Sequence, residues 1–328
     1  MTATSRLPVE GSFPQLYGAT AWLNSAPLTP RGLRGKVVVV QFCTFSCVNW
    51  LRTLPYVRAW AQKYRDDGLV VIGVHTPEFP FEHDLEKIRS ALAGMGVEYP
   101  VAVDNEFAVW RAFDNAYWPA LYFFDAAGRR RHHHFGEEDY ERSERVIQQL
   151  LAEAGRADLD AHLVAVEPDG VSLAADWATL ESPETYVGYA RASGFASPGG
   201  LEPDRSVHYV EPHRLTLNHW GLAGDWTVGG QVATLNAAGG RIVHRFHGRD
   251  VNLVLGSGAD GGPTRFRVAL DGEPPRGDHG LDVAELGHGS VTDERLYQLI
   301  RQDGPVADRT FEITFLDPRA QAYVFTFG

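Results

Sequence analysis

The sequence predicts an α/β domain with mostly parallel strands, followed by an all-β sandwich. Residues 1–155 switch repeatedly between strand-like and helix-like periodicity. Residues 207–328 carry only short alternating runs set off by Gly-rich turns. Between them, 156–206 is rich in Gly, Pro, Ala and Asp and keeps neither pattern, so it reads as a linker packed over the domains. A chain of 328 residues also exceeds one small domain and is long enough for two cores.

In order, residues 1–14 read as a loose tail. The run Val37-Val38-Val39-Val40, continued to Phe42, reads as a strand buried on both faces. Ser46 is the expected N-cap of a helix over 47–65, where Val48, Leu51, Leu54, Val57 and Ala61 recur at helical spacing and Pro55 predicts a kink. Strands are expected at Leu69–Val74, Tyr99–Asp104 and Ala120–Asp125, with helices over 83–95 and 106–114 between them. A helix over 138–154 closes this half, with Val146, Leu150 and Leu151 on its dry face and Glu141, Arg142 and Arg145 on its wet one. Beyond Val207, strands are expected at Arg241–Phe246, Val251–Leu255, Arg265–Leu270, Leu296–Arg301, Phe311–Phe315 and Tyr323–Phe327. Asp271-Gly272 signals a turn after the third.

Hydrophobic content of 44% and charged content of 22% are those of a globular protein. A net charge of −12 argues against nucleic acid or anionic membrane as partner. No apolar run approaches the roughly 20 residues that span a bilayer, and Met1 to Pro8 lack the apolar core of a signal peptide, so the cytoplasm is the expected location. Two cysteines exclude a disulfide scaffold. No Gly-rich phosphate loop or Ser-His-Asp arrangement stands out, and no cofactor is expected.

Both cysteines lie where a strand hands over to a helix. Cys47 falls at the helix start, where free N–H groups and the positive dipole end favour a thiolate. It is the expected nucleophile. Cys43, at the strand end, reads as a small buried core residue; pairing with Cys47 requires Cα atoms within about 7 Å.

The segment Gln41-Phe42-Cys43-Thr44-Phe45-Ser46-Cys47, with its helix and Pro55, resembles the thioredoxin superfamily, and more closely the soluble part of DipZ-type thiol:disulfide interchange proteins. His75-Thr76-Pro77-Glu78-Phe79, Tyr117-Trp118-Pro119-Ala120, His132-His133-His134-Phe135-Gly136-Glu137, Ser182-Pro183-Glu184-Thr185-Tyr186 and Phe315-Leu316-Asp317-Pro318 extend the resemblance over nearly the whole chain. It implies a thioredoxin-like domain followed by a jelly-roll sandwich similar to carbohydrate-binding modules. Relatives of this type are joined to a membrane segment and face the oxidising side. Trp118-Pro119 matches the family's cis-proline pair beside the active cysteine.

Three departures bear on activity. Trp50 stands where the family has its resolving cysteine, Gln41 where it has a buried aspartate, and Cys43 where it has a tryptophan. A dithiol cycle needs the second thiol to release the mixed disulfide. The expectation is therefore a thiol-dependent oxidoreductase acting through Cys47 alone on a disulfide-bearing protein, with a low-molecular-weight thiol as resolver. Thr44-Phe45-Ser46-Cys47 also resembles the peroxiredoxin Thr-x-x-Cys, but Val40 replaces its proline, so peroxide ranks second as substrate. The alternative is a non-catalytic module binding peptide or glycan.

Glu78, expected at a strand's carboxyl end, either assists proton transfer at Cys47 or is a solvated loop carboxylate. His132, His133 and His134 raise the question of a metal, but successive strand residues face opposite ways and do not converge. Trp220, Trp226, Tyr209 and Tyr297 are sugar-stacking candidates or ordinary core.

Overall fold

In the computed structural model, which describes residues 7–258 and 262–328, the valine run lies mid-sheet. Strand β3 (Val37–Cys43) follows two short strands, β1 (Gly11–Ser12) and β2 (Ala21–Leu23), and every residue of it is buried. Helix α1 (Val48–Lys63) leads to β4 (Leu69–His75), and α2 (Leu85–Gly94) leads on to β5 (Val101–Val103). Next come α3 (Ala108–Ala112), β6 (Ala120–Phe124), β7 (Arg129–Phe135) and α4 (Tyr140–Glu153). The seven strands are ordered β1-β7-β6-β3-β4-β5-β2.

Only β3–β4 and β4–β5 pair in parallel; β6 runs antiparallel to β3, and β7 to β6. The sheet is thus mixed, not mostly parallel. For β7 the reason is local: a turn at Asp125, whose Oδ1 accepts the N–H groups of Ala127 and Arg129, joins β6 to β7 with no room for a crossover.

Alternation along β3 sorts its side chains. Val38, Val40 and Phe42 join Ile72, Val74, Ala120 and Phe124 in one core cluster. Gln41 points the other way and bonds to Thr53 and Trp50 on α1. On α4, Val146, Leu150 and Leu151 are buried while Glu141, Arg142 and Arg145 are exposed, as their spacing implies. α1 runs through Pro55 as one helix.

The expected tail is tied down where it is described. Arg131, 1% exposed, donates to the carbonyls of Leu7 and Pro8, and Gly11–Ser12 pairs with Arg129–Arg130. Residues 1–6 of that tail lie outside the described residues.

The chain divides into two compact units after Ser172. Residues 156–206 contribute to both. In the first unit, the Val164 N–H donates to the buried Glu144 carboxylate, and Lys63 Nζ reaches the His162 carbonyl. In the second, Thr185–Tyr186 (β8) pairs with Val324–Phe325, and the Phe195 ring packs on Trp220.

The second unit continues with β9 (Ser206–Tyr209), β10 (Trp220–Val228), β11 (Ala233–Leu235), β12 (Arg241–Phe246), β13 (Asp250–Ser257) and β14 (Thr264–Leu270). It ends with β15 (His288–Val291), β16 (Arg295–Arg301), β17 (Arg309–Phe315) and β18 (Ala320–Phe327). All named strands pair antiparallel, as in a sandwich. β10 serves two sheets: Trp220–Ala223 pairs with β12, and the residues from Gly224 onward pair with β9 and β11. One core cluster joins Phe266, Val268 and Leu270 of β14 to Val251, Leu253 and Leu255 of β13. Among the described residues, no helix is long and apolar enough to cross a membrane.

Candidate functional site

At the end of β3 the chain turns through Thr44–Ser46 into α1. The residue capping α1 is Cys47 itself (φ −78°, ψ 116°), with no side-chain cap bond. Ser46 is not the N-cap that its residue type implied. Its hydroxyl donates instead to Glu82 Oε1 at 2.6 Å, a charge-assisted partner stronger than a helix amide. Cys47 is half-buried, and its Sγ lies 3.8 Å from the Trp118 carbonyl oxygen. The Trp118–Pro119 bond is cis, and the Trp118 ring lies against Trp110 with centroids 4.4 Å apart. Cys47, Trp118 and Pro119 thus come together.

Beneath the loop the two departures from the dithiol pattern meet. Trp50 is fully buried, and its indole N–H donates to Gln41 Oε1 at 3.1 Å. The Gln41 amide donates to Thr53 Oγ1 at 2.8 Å, whose hydroxyl donates to the Trp50 carbonyl at 2.8 Å. The Tyr99 hydroxyl makes the second contact to Gln41 Oε1, at 3.3 Å. The network is neutral throughout. It offers no carboxylate to take up a thiol proton.

Neither Cys43 nor Cys47 is in a disulfide. Cys43 is buried, 3.5 Å from the Val74 carbonyl oxygen. Burial pushes its thiol far above the ordinary range, and the nearby Cys47 and Glu82 push the same way. Both effects disfavour the thiolate, the form of a cysteine that attacks.

Glu78 is half-buried, and its backbone N–H donates to Glu82 Oε2 at 2.7 Å. Glu82 is the residue that sequence reasoning missed. It sits fully buried in a short 3-10 turn (Pro80–His83), and burial raises its carboxyl above the usual range against the pull of its donors. Nearby, His75 is fully buried, stacks on Phe45 at 5.6 Å and is pushed down to about 3 by burial.

The three consecutive histidines lie on β7 with separate partners. His133 Nδ1 is 2.7 Å from Glu10 Oε2, His134 Nε2 is 2.9 Å from the Glu137 carbonyl, and the His132 ring packs on Phe123. Among the described residues, no group of three or more His, Cys, Asp or Glu is placed to hold a metal ion. In the second unit, Trp220, Trp226 and Tyr297 are 0% exposed and Tyr209 only 3%. These four rings build the sandwich core, so none of them is the sugar platform considered from sequence.

Known proteins resemble this chain. A family described as "Thioredoxin like C-terminal domain" matches residues 182–328. Protein DipZ of Mycobacterium bovis is 38% identical over 268 residues, covering 80% of this chain. The chain spans only 37% of that relative's length. The thiol-disulfide oxidoreductase YkuV of Bacillus subtilis is 33% identical over 140 residues, which are 43% of this chain and 94% of the relative. A thioredoxin-like protein solved in solution in its oxidised form is 34% identical, covering 44% of this chain and 96% of its own, with a TM-score of 0.41.

Proposed function

This chain belongs to the thioredoxin-like thiol-disulfide oxidoreductases, and on that premise we propose that it exchanges disulfides through Cys47 alone. The observation that carries this reading is the half-buried Cys47 Sγ beside the Trp118 carbonyl, with buried Trp50 filling the resolving position. The Cys47 thiolate attacks one sulfur of a partner's disulfide. A new S–S bond forms to Cys47, the old one breaks, and the partner's other sulfur leaves as a thiolate. A low-molecular-weight thiol then attacks the mixed disulfide. Its own sulfur joins the bound half, and Cys47 leaves as thiolate. The bound half leaves as a mixed disulfide with that thiol, and a second external thiol attacks it, releasing the partner's remaining thiolate and the small disulfide, so both electrons come from external thiols.

Two features support the monothiol form. Cys43 is buried and held as a thiol, so it is a poor internal resolver. The Gln41–Trp50 pair supplies neither a second thiol nor a carboxylate to accept its proton. A peroxide is the slower substrate: the thiolate attacks one oxygen, the O–O bond breaks and hydroxide leaves, giving a sulfenic acid that one thiol condenses to a mixed disulfide with loss of water and a second thiol resolves to the thiolate.

The test is a single-turnover assay of wild type against Cys47→Ser, with a small mixed disulfide and, separately, hydrogen peroxide. Wild type is expected to release one thiolate per chain and carry one adduct on Cys47 by mass spectrometry. Identical traces for both proteins would leave a peptide-binding scaffold as the reading.

A further inference from the structure

Resting on the reading of Cys47 as the exchanging thiol, we propose that Glu82 is its positioning residue. Glu82 Oε1 accepts the Ser46 N–H at 3.3 Å and the Ser46 hydroxyl at 2.6 Å. Its Oε2 accepts the N–H groups of Glu78 at 2.7 Å and Phe79 at 3.0 Å. The carboxylate is fully buried, and among the described residues no cation pairs with it. Burying a charge without a counter-ion is costly, and here donors alone offset it.

The clamp joins two segments far apart in the chain. One is Ser46, immediately before the residue that caps α1; the other is the turn that follows β4. Fixing Ser46 fixes the entry of the chain into α1, and with it the direction in which Cys47 presents Sγ to the Trp118 carbonyl. Exchange depends on that direction, because the attacking sulfur must approach along the axis of the disulfide. Alkylation by a small, flexible reagent depends only on a free thiolate.

Glu82→Gln keeps the size but places an amide NH₂ where one pair of donors needs an acceptor, so one segment is released. Ser46→Ala keeps the backbone donor and removes only the hydroxyl. Three proteins are compared, with folded fraction checked by circular dichroism: wild type, Glu82→Gln and Ser46→Ala. Exchange with a small mixed disulfide and alkylation by iodoacetamide are both followed at a pH where the alkylation rate has levelled off.

Glu82→Gln is expected to slow exchange tenfold or more while alkylation stays within twofold, and Ser46→Ala to fall between it and wild type. If Glu82→Gln does not fold, Ser46→Ala alone must show exchange slowed beyond alkylation. Equal exchange in all three overturns the inference, as does a parallel loss of exchange and alkylation that follows the folded fraction. A wild type without Cys47-dependent exchange overturns the proposed function and this inference with it. A wild type that exchanges beside an unaffected Glu82→Gln overturns the inference alone.

Discussion

Trp50 and Gln41 depart from the dithiol pattern at touching positions, and the indole–amide bond between them gives the departure a physical basis. Returning one without the other leaves a mismatch. Trp50→Cys opens a void where a fully buried indole stood and takes one donor from Gln41 Oε1. By analogy with large-to-small core substitutions, about 3–5 kcal/mol of stability is lost, readable as a lower urea midpoint. Insulin reduction by this variant is expected to stay near background, because Gln41 accepts no proton from the new thiol. Adding Gln41→Asp is expected to raise the rate at least tenfold over the single variant. Equal rates for the two would show that the acid at position 41 is not what limits the cycle. These positions were legible in the sequence because each breaks a familiar pattern. Glu82 was not, since an acid between Phe81 and His83 in an irregular segment has no periodicity to violate. Only the folded chain brings its four donors together.

Among the elements, those with regular periodicity were read correctly, including β14, whose Phe266, Val268 and Leu270 are buried while Arg265 and Arg267 are exposed. β10 was not read at all. Gly221 and Gly224 interrupt it, and its alternation fails where it passes from one sheet to the other. A strand serving two sheets has no single period. The corner is Gly224, at φ +91°, where an added Cβ would lie 2.9 Å from the Gly240 Cα. Gly224→Ala therefore meets both a left-handed penalty of about 1–2 kcal/mol and a backbone clash. Gly272, at φ +84° in the turn after β14, has nothing within 4 Å of the same added atom. Gly272→Ala is expected to cost only the conformational part, about 1 kcal/mol. Urea midpoints of the second unit should rank wild type above Gly272→Ala above Gly224→Ala. Equal midpoints for the two variants would mean that the strand relaxes around the corner.

For the whole molecule, the division into an α/β part and a β part was legible because the periodicity changes once and for good. The mixed order of the first sheet was not, since antiparallel return through a tight turn and parallel return after a helix give similar strand patterns. Each unit carries a fully buried histidine: His75 on β4, and His244 on β12, where its ring nitrogens meet Thr185 Oγ1 and the Arg245 carbonyl. Burial pushes both down to about 3. Between that value and 6.5 the unfolded chain binds protons that the folded chain refuses, so stability rises with pH across this window and is lost as pH falls through it. At pH 5 each histidine contributes about 2 kcal/mol of acid destabilisation, from 1.5 pH units at 1.36 kcal/mol each. Glu82 acts in the opposite sense. Its raised carboxyl binds protons more readily when folded, so its contribution is lost as pH rises. The bulk acid profile therefore mixes both signs, and only variants separate them. Hydrogen exchange at pH 5 and 7.5, corrected for intrinsic rates, reads peptides from β4 and β12 separately. His75→Leu is expected to remove about 2 kcal/mol of the pH difference in the β4 peptides, and His244→Leu the same in those from β12. An unchanged difference in both would place the protonation that drives acid unfolding on the carboxyl groups instead.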